Sequence, residues 1–285
     1  MITQRHRAIS RRRLVISTAA VLAAFAVGAA VAKDDFIVVA STTSTQDSGL
    51  YDYLLPIFTR ETGIIVKIVA QGTGQALDTA RRGDADVVFV HAKAAELQFI
   101  AEGESLKRYP VMYDDFVLLG PRSDPAGVMG VKDIAKAFRS IEGKHATFIS
   151  RGDRSGTHVA ELGFWKDAGV DIDRDRGTWY RSIGQGMGAA LNAASASNAY
   201  VLSDRPTWVH FGNKGELAIL VEGDPRLFNQ YSVMLVNPAK HPTVKKELGQ
   251  KFIDYLVSPQ GQGDIANYKI EGAQVFHPNA NEAGA

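Results

Sequence analysis

The chain has 285 residues, 45% hydrophobic and 22% charged, with a formal net charge of +1. That composition is ordinary for an α/β protein and leaves room for one large domain or two lobes. The absence of cysteine rules out disulfides and a lipid-modified N-terminus, and the near-neutral charge gives no bulk attraction to nucleic acid or to anionic membranes.

Residues 1–32 have the features of a cleaved export signal. Arg5, Arg7, Arg11, Arg12 and Arg13 precede an apolar, alanine-rich run from Leu14 to Ala29, and Ala30-Val31-Ala32 has the small-x-small form of a cleavage site. The apolar run is short and ends in small residues, which argues against a membrane anchor. Ser10 to Leu14 loosely matches a twin-arginine signal, so either the Sec or the twin-arginine route is open. Losing the five arginines takes the formal charge from +1 to −4, and the mature protein is expected free in the periplasm.

From Asp35 onward, hydrophobic periodicity predicts alternating strands and helices. Strands fall at Phe36–Ala40, Ile64–Ala70, Asp86–Val90, Asp115–Leu119, Ala146–Ile149, Tyr200–Leu202, Leu217–Val221 and Ser232–Val236. Helices fall between them at Leu50–Arg60, Ala76–Arg82, Ala94–Glu102, Val131–Ile141, Val159–Ala168 and Gly188–Ala196, and Val244–Val257 and Gln260–Tyr268 follow the last strand. This alternation predicts βαβ units and parallel sheets. The tail Pro278–Ala285 is small and polar and is expected to be loose. Two extended runs, Val111–Gly120 and Gln230–Pro238, read as crossings between lobes. They divide the mature chain into lobe I, residues 33–115 and 233–285, and lobe II, residues 116–232, with a binding cleft between.

Three turns rich in hydroxyls or glycine follow predicted strands: Ser41-Thr42-Thr43-Ser44-Thr45, Gly72-Thr73-Gly74, and Arg151 to Thr157. Turns at the carboxyl ends of strands in α/β sheets are where ligands bind, because helix N-termini offer unpaired N–H groups and positive dipole ends. Any one of them alone reads as a helix cap or an ordinary turn. Together they supply neutral N–H and O–H donors, and Arg151 adds a bidentate fork, so the set predicts a site for an anion. Gly186-Met187-Gly188, ahead of a predicted helix, is a fourth candidate turn.

Other readings of these residues are weaker. Arg151-Gly152-Asp153 is a three-residue match to an adhesion tripeptide. Ser155, His158 and Asp153 name a hydrolase triad but crowd onto one turn, and there is no Gly-x-Ser-x-Gly elbow. The histidines lack metal-ligand spacing; His91 and His158 read as supporting groups, and no metal cation is expected.

The pairing of STTST near the mature N-terminus with RGDRSGTH in the second half resembles the TupA-type tungstate-binding family of ABC uptake systems, within the type II periplasmic binding proteins. The resemblance covers residues 34–275. It implies two α/β lobes, each a mostly parallel sheet flanked by helices, clamping tungstate or molybdate and delivering it to an ABC permease of the inner membrane. By position, the contacts it implies are Thr43 and Ser44, Thr73, and Arg151, Ser155, Gly156 and Thr157, with Gly186 and Met187 added by their place before a helix. The first turn is Ser-Thr-Thr-Ser where the family usually has Thr-Thr-Thr-Ser, which keeps the hydroxyl.

A monomeric binding protein without cofactor or enzyme activity is therefore expected. The alternatives are a periplasmic enzyme acting on a phosphorylated or sulfated compound, and a binding protein for sulfate or phosphate. At the position where the phosphate-binding relatives carry a carboxylate, this chain has His91, Ala92 and Lys93. Asp153 is expected to be occupied by Arg151, so the site is expected to consist of donors.

Overall fold

The computed structural model describes Met1, residues 35–174, residues 177–280 and Glu282. The predicted export signal, apart from Met1, lies outside the described residues. Among those described, no helix is long and apolar enough to cross a membrane.

The first half runs β1 (Phe36–Thr42), α1 (Thr43–Asp47), α2 (Leu50–Thr62), β2 (Ile65–Gln71), α3 (Thr73–Arg81), β3 (Val87–Val90) and α4 (Lys93–Ala101). The long β4 (Tyr109–Pro121) leads into α5 (Ile134–Gly143), β5 (Phe148–Ser150), α6 (Gly156–Asp167), β6 (Tyr180–Ser182), α7 (Met187–Ser197), β7 (Tyr200–Asp204), α8 (Arg205–His210) and β8 (Leu217–Val221). Then β9 (Phe228–Leu235) returns, followed by α9 (Lys246–Val257), α10 (Pro259–Asn267) and the short strands β10 (Lys269–Ile270), β11 (Ala273–Gln274) and β12 (His277–Pro278).

The main sheet has strand order β2-β1-β3-β9-β4-β7-β5-β6, with β8 and β12 also on β4. Pairing is parallel on the two flanks, β1 with β2 and β3, and β5 with β6 and β7. It is antiparallel where β9 and β4 meet each other and their neighbours. The all-apolar run Val87 to Val90 is buried on both faces, as a central strand covered by helices requires. Apolar packing falls into separate clusters: two draw their buried residues from 37–112 and 231–276, and two from 116–227. The second half is aromatic-rich at its centre, where Trp165 packs against Phe138, Phe148, Trp179 and Tyr180.

Several boundaries differ from the sequence reading for identifiable reasons. Helix α6 starts at Gly156, not Val159, because the Ser155 hydroxyl accepts from the N of His158 at 3.2 Å, which sets the cap ahead of the first apolar position. Helices α1 and α8 have five and six residues, too short to display a 3.6-residue period. The tail is not loose from Pro278: β12 pairs with β4, and buried Asn279 exchanges bonds with the Gln230 side chain at 2.8 and 3.0 Å.

Candidate functional site

Each of the four candidate turns leads from a strand into a helix, except that the turn before α7 follows the loop after β6. Thr42 caps α1 through its hydroxyl, Gly72 precedes α3, Ser155 caps α6 and Gly186 precedes α7. The fold brings all four together, and their contacts run between the two halves of the chain. Gly74 N donates to Arg154 O at 3.3 Å. A Cβ on Gly72 would lie 2.5 Å from Asp153 O, one on Gly156 would lie 2.7 Å from His91 O, and one on Gly186 would lie 3.5 Å from Thr43 Oγ1. Glycine at 72 and 156 is what lets the backbones approach this closely.

Arg151 lies at the centre, only 1% exposed. Its Nη1 donates to Ser44 Oγ at 2.9 Å, and its Nη2 donates to Thr43 Oγ1 at 2.8 Å and to Asp153 Oδ2 at 2.6 Å. By accepting from the guanidinium, the two hydroxyls are left free to turn their own O–H outward as donors. Asp153 also accepts from Ser155 N at 3.1 Å. Burial opposes ionisation of Asp153, but the Arg151 charge and the Ser155 bonds outweigh it and hold its carboxyl below the usual range.

Five buried side-chain atoms at this junction have no hydrogen-bond partner: Arg151 Nε, Thr73 Oγ1, Thr157 Oγ1, His91 Nε2 and Asp204 Oδ2. Each such atom costs about 1–3 kcal/mol if it stays unsatisfied, so their concentration here is a strong mark of a ligand site. Three of them belong to residues the sequence singled out. Of the other expected contacts, the Ser155 hydroxyl serves as a helix cap, and Met187 is fully buried in an apolar cluster, so it can offer the site only its backbone.

Two acceptors at the junction were not foreseen. His91 donates from Nδ1 to Asn229 Oδ1 at 3.0 Å, since Asn229 uses its Nδ2 to reach Asp114 Oδ1 at 2.6 Å. The ring therefore carries its hydrogen on Nδ1, which leaves a lone pair on Nε2, and burial pushes its pKa down to about 4, so it is neutral. Asp204 ends β7 and is fully buried, with its pKa pushed up to about 6 by that burial. The sequence did carry a signal for it: Ser203-Asp204-Arg205-Pro206 places an aspartate ahead of a proline at the start of a helix, a capping pattern at the carboxyl end of a strand. Glu161, on α6, accepts from Tyr180 Oη at 2.8 Å and Trp165 Nε1 at 3.2 Å; burial raises it to about 7.

Ser155, His158 and Asp153 form a helix cap and an ion pair, not a nucleophile–base line: Ser155 Oγ takes the backbone of His158, and Asp153 takes Arg151. Among the described residues, no group of three or more histidines or carboxylates is placed to hold a metal ion. An open cavity of about 950 Å³ lies beyond α1, between Asp47, Pro56, Ile65 and His210, and none of the five unpartnered atoms is on a residue that lines it.

The chain as a whole is similar to solute-binding proteins. The description "PBP superfamily domain" matches residues 27–260. The tungstate-binding protein TupA of Peptoclostridium acidaminophilum is 46% identical over 248 residues, covering 86% of this chain and 86% of that protein. Two solved structures are also similar. The tungstate-binding protein TupA from Desulfovibrio alaskensis has a TM-score of 0.73 at 43% identity, covering 87% of this chain and 100% of that one. The tungstate ABC transporter protein from Geobacter sulfurreducens has a TM-score of 0.75 at 49% identity, covering 82% and 98%.

Proposed function

The chain belongs to the PBP superfamily and, within it, to the tungstate-binding proteins of ABC transporters, and on that footing we propose that the turns around Arg151 form one oxyanion site that captures tungstate, and molybdate second. The observation that carries this is the set of buried, unpartnered donors on Arg151, Thr73 and Thr157, drawn from turns in both halves of the chain. Thr43, Ser44, Ser155, Gly156, Gly186 and the backbone of Met187 complete the lining.

The halves act as two lobes, 33–115 with 233–285 and 116–232. The separation of the apolar clusters on either side of β4 and β9 supports that division. The protein binds its ligand without cofactor or turnover, works as a monomer in the periplasm after loss of its signal, and hands the anion to an inner-membrane permease.

Size orders the ligands. Tungstate and molybdate have long metal–oxygen bonds and carry no proton at neutral pH, whereas the smaller sulfate leaves donors out of reach at about 1–3 kcal/mol each. Competition calorimetry at pH 7.5 is expected to rank tungstate, then molybdate, then sulfate. Sulfate or phosphate displacing tungstate at comparable concentration would overturn the assignment.

Closure can be tested without touching any charge. Gly72 has φ −69°, which alanine adopts freely, but a methyl there meets the Asp153 carbonyl of the opposite turn. Gly72→Ala is expected to weaken tungstate binding about tenfold or more, a loss of about 1.4 kcal/mol, while unbound stability changes by less than about 1 kcal/mol. Equal losses of stability and affinity would mean the contact is permanent and not made on closing.

A further inference from the structure

Asp204 is the one carboxylate with a buried, unpartnered oxygen among the described residues. Its Oδ1 is committed to α8, accepting from Thr207 N at 2.9 Å and Thr207 Oγ1 at 2.5 Å. Thr207 Oγ1 also lies 3.2 Å from the backbone carbonyl of Ser44, whose Oγ receives Arg151 Nη1, so Thr207 and Ser44 lie between Asp204 and the guanidinium.

The charged and titratable groups around Asp204 are few. Arg151 acts on it from the turn after β5. From the crossing strands, Asp114 of β4 and Tyr231 of β9 both feel its charge. The neighbouring Arg205 is turned away, bound to Asp115 at 2.6 Å and Glu222 at 2.8 Å. Arg151 is thus the cation that favours the ionised form of Asp204, and an anion seated on Arg151 competes for that same charge.

We propose that Asp204 is the proton acceptor of the oxyanion site, so that capture of a dianion draws a proton from solvent onto Asp204 Oδ2. This rests on the oxyanion reading above. The step is a simple protonation: the carboxylate becomes a carboxylic acid, and an oxygen that repels the ligand becomes a neutral O–H donor. A like charge at close range raises a carboxylate by roughly one to three pKa units. Burial already raises Asp204 to about 6, so it is mostly ionised at neutral pH before binding, and the ligand's charge shifts it toward the protonated form. Affinity therefore falls as pH rises between the free and bound values, by up to roughly tenfold per pH unit, the limit for one linked proton.

The test is titration calorimetry of the full protein with sodium tungstate at pH 7.5 in HEPES and in Tris, which release their protons with different heats. The expected result is a buffer-dependent enthalpy corresponding to net proton uptake, at most one per tungstate. Asp204→Asn keeps the Oδ1 acceptor that Thr207 needs and puts a permanent donor in place of Oδ2. Asp204→Asn is therefore expected to abolish the buffer dependence and to bind with an affinity that is flat from pH 6.5 to 8.5. Arg151 also acts on Glu161, which burial raises to about 7, so Glu161→Gln separates the two carboxylates: proton uptake is expected to persist in it. Tungstate binding by the wild type with equal heats in both buffers would overturn the inference while leaving the oxyanion reading intact, as would proton uptake that persists in Asp204→Asn. No binding at all would overturn both.

Discussion

Arg151→Ala is expected to weaken tungstate binding on the order of ten- to a hundredfold, the equivalent of one charge-assisted hydrogen bond of about 1.5–3 kcal/mol. The structure adds a second loss. Arg151 joins Ser44 and Thr43 of one half to Asp153 of the other and is 1% exposed, so its removal also leaves Asp153 unpaired. Unbound stability should drop as well. The Asp153 carboxyl is held below its ordinary value of 3.8, so its share of stability is present above that pH and disappears as pH falls through the folded value. In the alanine variant this acid-linked share should be gone. Lysine restores the charge but not the fork that reaches both hydroxyls, so Arg151→Lys should recover only part of the affinity. Calorimetry and denaturant melts of the three proteins measure both effects, and an alanine variant with wild-type affinity would remove Arg151 from the site.

Tungstate present at a thousandfold over its Kd is expected to add about 4 kcal/mol to the unfolding free energy, provided it binds only the native chain. For a protein of this size that corresponds to a rise in Tm on the order of 10 °C. The rise should shrink in step with affinity in Gly72→Ala and Arg151→Ala. A melting temperature that does not respond to tungstate would contradict binding to the native state, whatever the family.

The alternation of strands and helices was legible because each run is apolar enough, and long enough, for its period to show. Val87 to Val90 and Ile134 to Ile141 are such cases. The anion turns were legible for a different reason: Ser, Thr and Gly at the carboxyl ends of strands have a local chemical meaning. What could not be read depends on distant residues. The potential of Asp204 as an acceptor comes from its full burial at the end of β7, beside β4, and its neighbours along the chain show a helix cap but not that burial. Met187 was expected near the ligand from its place in a turn before a helix; its side chain lies in an apolar cluster with Leu191 and Trp208, a matter of which way one helix faces. The tautomer of His91 could not be read either, since it is fixed by the distant Asn229–Asp114 pair.

The place of β9 in the sheet has a consequence for the order in which the chain can fold. β9 lies between β3 and β4, so the first-half sheet has a gap in its middle until residues 228–235 are available. A chain emerging from its N-terminus would expose the free edge of β3 through the synthesis of more than a hundred intervening residues. The stretch from β5 to β8, by contrast, holds most of its partners within itself and along β4. Sheets that wait for distant partners close slowly, because the entropy of the long loop must be overcome first. The second half is thus set to collapse early, and the first half, with the STTST turn, is completed only when nearly the whole chain has been made.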